Sequence, residues 1–207
     1  SIGQYGFKND NEDQIASYTQ DSKKHDSKTE TFVALMARID NWRWAGVPFF
    51  LRTGKRLKTR ASEIVITFKP IQHFIFDKTE KNNTLPNQLI IRLQPDEGLK
   101  ILLMSKEPGP GGIRISPSYL NLSFSDTFKN KIPDAYERLL MDVVRGNQTL
   151  FMRKDEVEAA WSWIDPIINL IKKNNRLPET YTPKSWGPTS SFDLLKRHGF
   201  EWCEPHY

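Results

Sequence analysis

The sequence predicts an α+β fold, with a mostly antiparallel sheet in the first two thirds of the chain and helices packed on it in the last third. Three observations support this prediction. Apolar residues recur at every second position in several segments between residues 31 and 124, two such segments are joined by a short turn within residues 88–105, and a helical period begins after residue 130. We expect residues 1–207 to form a single domain.

Alternation of apolar and polar residues predicts six strands. They cover residues 31–39, 47–52, 63–69, 89–94, 99–105 and 119–124. In the first of them both faces are largely apolar, which favours a strand covered on both sides, although these residues alone also permit a helix. In the third, Ile64, Ile66 and Phe68 are expected to point inward. Residues 8–30 are polar with mixed charges and predict a surface loop.

Local signals set the ends of further elements. Pro95-Asp96-Glu97-Gly98 has turn composition, so residues 88–105 should form an antiparallel hairpin. Three helices are predicted beyond residue 130. The first runs from Pro133, which is tolerated at a first helical position, to Gly146. The second begins after Asp155 as its N-cap, and Pro166 inside it is expected to kink or divide it. The third is short and covers residues 191–197.

Composition excludes several classes of protein. Of the 207 residues, 38% are hydrophobic and 27% are charged, which is typical of a chain that folds. No apolar run approaches about eighteen residues, so no membrane span is expected, and Ser1–Tyr5 lacks the features of a signal peptide. The single cysteine, Cys203, excludes an internal disulfide framework and favours a reducing compartment, most simply the cytoplasm. The four histidines are scattered, so no metal site is expected.

Positive charge is concentrated in one segment. The net charge is +5, and five cations with no acid fall within residues 52–60, directly after an apolar strand. Such a segment can cradle a phosphate or another anion. A solvated basic loop is the commoner meaning of a charge run, and composition alone favours it. Gly54-Lys55 is followed by Arg56 rather than Ser or Thr, so the segment is not a P-loop. A nucleic-acid binder needs a wider basic face with stacking aromatic residues, so no nucleic-acid partner is expected.

A second polar pair lies on a predicted strand. Arg92 and Gln94 are two positions apart and therefore share one face of the sheet. Together they could orient a sugar hydroxyl or a phosphate. The exposed polar face of a half-covered sheet explains them equally well.

Seven segments, in one order, resemble a known family. They are Gly3-Gln4-Tyr5, Thr29-Glu30-Thr31-Phe32, residues 41–49, residues 51–57, residues 91–95, residues 133–140 and Trp186-Gly187-Pro188. They resemble the carboxy-terminal half of glucose-6-phosphate dehydrogenase, in a form similar to that of bacterial members. The resemblance implies an oxidoreductase of carbohydrate metabolism. Such an enzyme oxidises glucose 6-phosphate to 6-phosphogluconolactone with NADP, in the first step of the oxidative pentose phosphate pathway.

The resemblance also implies roles for individual residues. Lys55 matches the family's substrate-binding lysine, Arg60 falls where a second basic residue contacts the substrate, and Gln94 matches a glutamine near the sugar. Arg52 matches an arginine near the coenzyme. In the family a large sheet forms the subunit interface, so a homodimer or homotetramer through the sheet is expected.

The chain lacks other features of the family. Nothing resembles the Gly-rich turn of the N-terminal Rossmann domain, and none of the histidines matches the catalytic base, so no catalytic residue is expected here. The sequence begins Ser-Ile-Gly, without Met. We therefore expect the C-terminal portion of a longer enzyme, inactive by itself. The alternative is a stand-alone, non-catalytic module for sugar-phosphate binding or oligomerisation.

One departure concerns a second, structural NADP site that some eukaryotic members have. There an aromatic and a basic residue follow the segment that resembles residues 91–95. Lys100 and Leu102 occupy those places in this chain, so no structural NADP site is expected.

Overall fold

The computed structural model describes residues 1–9, 14–73, 84–110, 112–128 and 135–204. They fall into two compact units, each described separately below. The first unit combines Ser1–Thr59 with Leu139–Trp202. The second contains the described part of Arg60–Arg138 and the described residues from Cys203 onward.

Ten strands and five helices are present in the described part of the chain. The strands are β1 (Ile2–Tyr5), β2 (Lys8–Asn9), β3 (Gln14–Ile15), β4 (Phe32–Ala37), β5 (Phe49–Gly54), β6 (Ser62–Thr67), β7 (Gln88–Gln94), β8 (Gly98–Lys106), β9 (Ile115–Ser123) and β10 (Glu179–Tyr181). The helices are α1 (Tyr18–Asp21), α2 (Phe124–Thr127), α3 (Ala135–Arg145), α4 (Lys154–Lys173) and α5 (Thr189–Lys196). The predicted α+β class is confirmed, since most strand pairs are antiparallel and the long helices lie in the last third.

The first unit is built on a four-stranded sheet in the order β10-β1-β4-β5. β1 pairs in parallel with β10, and its pairing with β4 and that of β4 with β5 are antiparallel. Phe32 and Ala34 alternate along β4 and are each 1% exposed, and they form the core with Tyr5 and Tyr181. Aromatic residues on neighbouring strands therefore bury a dense cluster under one face of this sheet.

The second unit is built on an antiparallel sheet in the order β6-β7-β8-β9. The predicted hairpin is confirmed, because Ile90 pairs with Lys100 across β7 and β8 and a short turn connects the strands. Ile90 and Leu102 are buried on one face. The register places them on the same face as Val65.

The opposite face of this sheet carries a contiguous aliphatic patch. We call it the apolar sheet face; its residues are Ile64, Ile66, Leu89, Ile91, Leu99, Ile101, Leu120 and Leu122. Ile64 is 49% exposed, Ile66 40% and Leu120 60%. The inward direction predicted for Ile64, Ile66 and Phe68 is wrong within this unit, since the buried residue of β7 faces the other way. A two-residue period identifies an apolar face but not what covers it.

The helices differ from their predictions in two ways. α4 continues for 20 residues through Pro166, so the proline does not divide it. A proline removes one backbone donor, and the other hydrogen bonds of a long helix keep it continuous. The N-cap is Arg153 rather than Asp155, and the Glu156 carboxylate accepts from the Arg153 backbone N–H at 3.0 Å. The predicted start of α3 at Pro133 lies outside the described residues.

The N-terminal polar segment and the last helix also differ from their predictions. The polar segment at residues 8–30 was expected to be a loop, yet it contains β2, β3 and α1, and Ser17 caps α1 through its side chain. α5 begins at Thr189, two residues before the predicted start. Among the described helices, none is both long and apolar enough to cross a membrane.

Candidate functional site

The basic loop, residues 52–60, begins inside β5 and continues past its end. Lys55 is the first residue after the strand, and backbone contacts fix its peptide groups on both sides. Its N–H donates to the carbonyl of Thr31 at 2.8 Å, and its own carbonyl accepts from the hydroxyl of Tyr181 at 2.6 Å. The Lys55 side chain is exposed. The loop therefore presents an exposed ammonium group from an anchored backbone.

A second segment holds the next residues of the basic loop. The Lys184 N–H donates to the Arg56 carbonyl at 2.7 Å, and the Lys58 N–H donates to the Ser185 carbonyl at 2.9 Å. Leu57, between these two cations, packs against the aromatic core. Arg56 and Lys184 both adopt left-handed backbone conformations, with φ of 52° and 63°. Two tight turns thus place Arg56, Lys58 and Lys184 on adjacent stretches of backbone.

Arg52 has a different environment from the rest of the basic loop. Its guanidinium carbon lies 4.8 Å from the ring centroid of Trp186 and 4.5 Å from that of Trp202. A planar guanidinium stacks well on indole faces, and such contacts stabilise by about 0.5–2 kcal/mol each. Sequence analysis did not assign a role to either tryptophan. Trp186 belongs to the Trp186-Gly187-Pro188 segment, which carries part of the resemblance to the family. No local pattern, however, predicts that this segment contacts β5.

The surroundings of Arg52 limit how this residue could contact a coenzyme. Its guanidinium already lies against two indole rings, which restricts stacking with a further ring on the sides they cover. A guanidinium donates N–H hydrogen bonds, which is the chemistry that phosphate groups require.

Arg60 and Gln94 belong to the second unit. Gln94 ends β7 opposite Ser62, and Arg60 precedes Ser62 by two residues, so both lie at one end of this sheet. Both side chains are exposed. The neighbouring Arg92 turns toward β9 instead, where its guanidinium donates to Oδ1 of Asn121 at 3.1 Å. The Arg92 side chain is therefore bonded within the sheet, although it shares a face with Gln94.

Two tyrosines near the basic loop have altered acidity. Burial raises the pKa of Tyr181, and hydrogen bonding with Thr31 and the Lys55 backbone opposes part of that rise. Burial also raises the pKa of Tyr5, and its hydrogen bond to Asp21 adds to the effect. Both hydroxyls stay protonated at neutral pH and act as donors. Asp21 also lies 3.5 Å from the Arg56 guanidinium, which links Tyr5 to the basic loop.

Other parts of the described chain offer less chemistry. No group of three or more His, Cys, Asp or Glu residues is arranged to hold a metal ion in the ranges that the structure describes. An open cavity of about 460 Å³ lies beside the end of α3, lined in part by Asp142, Phe151 and Arg153. None of the predicted site residues lines it.

The fold and the anchored loop define an α+β sheet domain that presents cations at the end of a strand. Comparison with known proteins identifies the family. The sequence profile described as "Glucose-6-phosphate dehydrogenase, C-terminal domain" matches residues 1–203. The chain belongs to this family.

Relatives and solved structures agree with this assignment. Glucose-6-phosphate 1-dehydrogenase of Rhizobium meliloti is 54% identical over 91% of this chain, and that of Mycolicibacterium smegmatis is 50% identical over 97%. A structure of glucose-6-phosphate dehydrogenase in complex with glucose 6-phosphate has a TM-score of 0.85 at 33% identity and covers 98% of this chain. The chain spans about two fifths of these proteins: 38% and 40% of the two relatives and 41% of the solved structure.

Proposed function

We propose that this chain supplies part of the substrate site and the subunit interface of a glucose-6-phosphate dehydrogenase. In that enzyme glucose 6-phosphate is oxidised to 6-phosphogluconolactone, and NADP accepts the hydride. The observation that carries the proposal is the anchored Lys55, an exposed cation on a backbone fixed by Thr31 and Tyr181 in a chain of this family.

The proposed contacts follow from the charge of the ligand. A phosphate monoester is dianionic near neutral pH, so ammonium and guanidinium donors bind it with charge-assisted hydrogen bonds. Lys55 and Arg60 supply such donors, and the Gln94 amide offers both a donor and an acceptor to a sugar hydroxyl. Arg52 would lie near the coenzyme NADP, as the matching arginine of the family does. No proton-abstracting residue is proposed in this chain, so the remainder of the enzyme must provide the base.

The subunit interface is proposed to form on the apolar sheet face. Four of its residues are at least 40% exposed, and all eight are aliphatic. A contiguous aliphatic face of this kind is unusual on an isolated monomer and typical of an oligomer interface. A second copy of the chain would bury it in a homodimer, and a tetramer would add a further contact.

The substrate role is tested by binding. Isothermal titration of the full-length protein with glucose 6-phosphate should give a dissociation constant that rises at least about tenfold in Lys55→Ala, because one charge-assisted contact is lost. Lys172→Ala, which removes an exposed cation from the last turn of α4, is the matched control and should bind as wild type does. Equal affinity in Lys55→Ala and wild type would refute the role of Lys55.

Turnover measurements test the proposal that the catalytic base lies outside this chain. The 207-residue chain is expected to form no NADPH from glucose 6-phosphate and NADP, whereas the full-length protein should form it. NADPH formation by the purified 207-residue chain would contradict the proposal that the base lies elsewhere.

A further inference from the structure

The side chain of Tyr181 helps to hold the backbone of Lys55 in place. It ends β10, is 3% exposed, and lies in the aromatic core beside Phe32, with their ring centroids 5.6 Å apart. Its hydroxyl extends out of that core and contacts two backbone groups and one side chain near the basic loop. A buried tyrosine normally finds a partner for its hydroxyl, and here the partner is the residue proposed to bind the substrate.

The contacts of the hydroxyl identify its donor and acceptor roles. It lies 2.6 Å from the Lys55 carbonyl oxygen, 3.1 Å from Oγ1 of Thr31 and 3.3 Å from the Thr31 carbonyl. The single hydroxyl proton goes to the Lys55 carbonyl, since that distance is shortest. Thr31 Oγ1 can then donate to the Tyr181 oxygen. Thr31 also accepts from the Lys55 N–H through its carbonyl, so Thr31 and Tyr181 clamp the Lys55 peptide groups from both sides.

We propose that Tyr181 is a positioning residue for glucose 6-phosphate binding, acting through the backbone of Lys55. The inference rests on the function proposed above. Without the hydroxyl, the Lys55 carbonyl is left without this donor, and the loop must move to find water. Such a movement displaces the ammonium of Lys55 from the position in which it would contact the substrate phosphate. Small displacements of this kind weaken binding strongly.

The main variant is Tyr181→Phe, which removes one oxygen atom and retains the ring that packs on Phe32. In the full-length enzyme the KM for glucose 6-phosphate should rise about fivefold while kcat changes less than about twofold, because the loss concerns binding rather than the reacting atoms. The KM for NADP should be unchanged within error. This split separates positioning from a general loss of folded protein, which lowers the apparent kcat instead.

The matched control is Tyr5→Phe. Tyr5 belongs to the same aromatic core, and its hydroxyl donates to Asp21 at 2.9 Å rather than to Lys55. Asp21 in turn lies beside Arg56, which is not among the residues proposed to contact the substrate. Both variants lose one buried hydroxyl, so their thermal unfolding should change by similar amounts. The KM for glucose 6-phosphate should stay within about twofold of wild type in Tyr5→Phe. A KM rise of equal size in both variants overturns the inference.

A double-variant cycle gives the sharpest test. If Tyr181 acts through Lys55, then adding Tyr181→Phe to Lys55→Ala should raise the KM no further. An independent effect of the same size in both backgrounds overturns the inference. If Tyr181→Phe does not fold, Thr31→Val replaces it, since it removes the oxygen 3.1 Å from the Tyr181 hydroxyl and should raise the KM about twofold.

The two proposals fail in different ways. A wild-type protein that binds glucose 6-phosphate in a Lys55-dependent way, with Tyr181→Phe and Thr31→Val both silent, overturns the positioning role alone. A wild-type protein that binds no glucose 6-phosphate overturns the proposed function, and the inference with it.

Discussion

The phenyl ring of Phe32 occupies the space above the Cα of Gly187. A Cβ added at Gly187 would lie 2.6 Å from Cζ and 2.9 Å from Cδ2 of that ring, and the glycine has a φ of 104°. Phe32 is the most buried large side chain of the core, at 1% exposure. The Trp186-Gly187-Pro188 segment therefore passes the core at a point where only glycine fits, and this approach brings Trp186 to Arg52.

Replacing Gly187 with Ala is expected to destabilise the protein by about 3 kcal/mol, from overpacking against Phe32 together with a disfavoured backbone conformation. The measurement is the free energy of unfolding from denaturant titration. Gly199→Ala is the control, since Gly199 also has a positive φ, of 75°, but no atom within 4 Å of an added Cβ. It should cost about 1 kcal/mol. Equal losses in the two variants would show that the Phe32 contact contributes nothing.

Replacing Arg52 with Lys is expected to lower the free energy of unfolding by about 1 kcal/mol in the absence of NADP, because an ammonium does not stack on indole rings as a planar guanidinium does. Tryptophan fluorescence should change as well. Arg43→Lys is the control: Arg43 lies over Trp42 at 5.3 Å, but that ring is 88% exposed, so the change should be a few tenths of a kcal/mol at most. If Arg52→Lys alters only NADP affinity and leaves unfolding unchanged, the stacking has no structural role.

Placing a charge on the apolar sheet face is expected to separate the subunits. Leu120 is 60% exposed within its unit, so Leu120→Lys should fold, while burying the ammonium in a dimer would cost several kcal/mol. Light scattering coupled to size-exclusion chromatography at micromolar concentration should then give the mass of one subunit. Thr67→Lys adds the same charge to the opposite face of the same sheet and should leave the assembly intact. A wild-type protein that is itself monomeric under these conditions would refute the proposed interface.

High pH is expected to destabilise the first unit through two tyrosines. The pKa values of Tyr5 and Tyr181 are raised above the ordinary value of 10.0, mainly by burial. The unfolded chain therefore loses these protons first, so the associated stability is complete below pH 10.0 and declines as pH rises further. Denaturant titrations between pH 8 and pH 11 measure the decline.

The variant that carries both Tyr5→Phe and Tyr181→Phe provides the comparison for this pH series. It has neither phenol, so its free energy of unfolding should fall less steeply over the same range. Parallel curves for this variant and wild type would mean that other groups cause the decline.

The prediction of the elements was most successful where the signals are local. The β7–β8 hairpin was predicted because two alternating strands flank Pro95-Asp96-Glu97-Gly98, and a turn of that composition needs no distant partner. β1 and β10 were missed. Their pairing joins Gly3 to Glu179, and each strand has at most four residues, so neither has a clear period of its own.

Among the residues of the candidate site, too, those with local sequence signals were predicted and those without were missed. Lys55 and Arg60 stood out because they belong to a run of five cations, and the resemblance to the family gave them a role. Tyr181 and Trp202 had no such signal. Tyr181 lies 126 positions from Lys55 in the sequence, and its hydroxyl contact depends on how β10 pairs with β1.

By itself, the sequence determined the family, the α+β class, the cationic character of residues 52–60 and the existence of an apolar face on β6. These follow from the order of residue types, which sets period, charge and turn formation without reference to distant parts of the chain. The tertiary structure decided which way that face points, what holds Lys55 in place and why residue 187 must be glycine. Each of these depends on contacts between segments more than a hundred residues apart or on burial, and no local pattern encodes either.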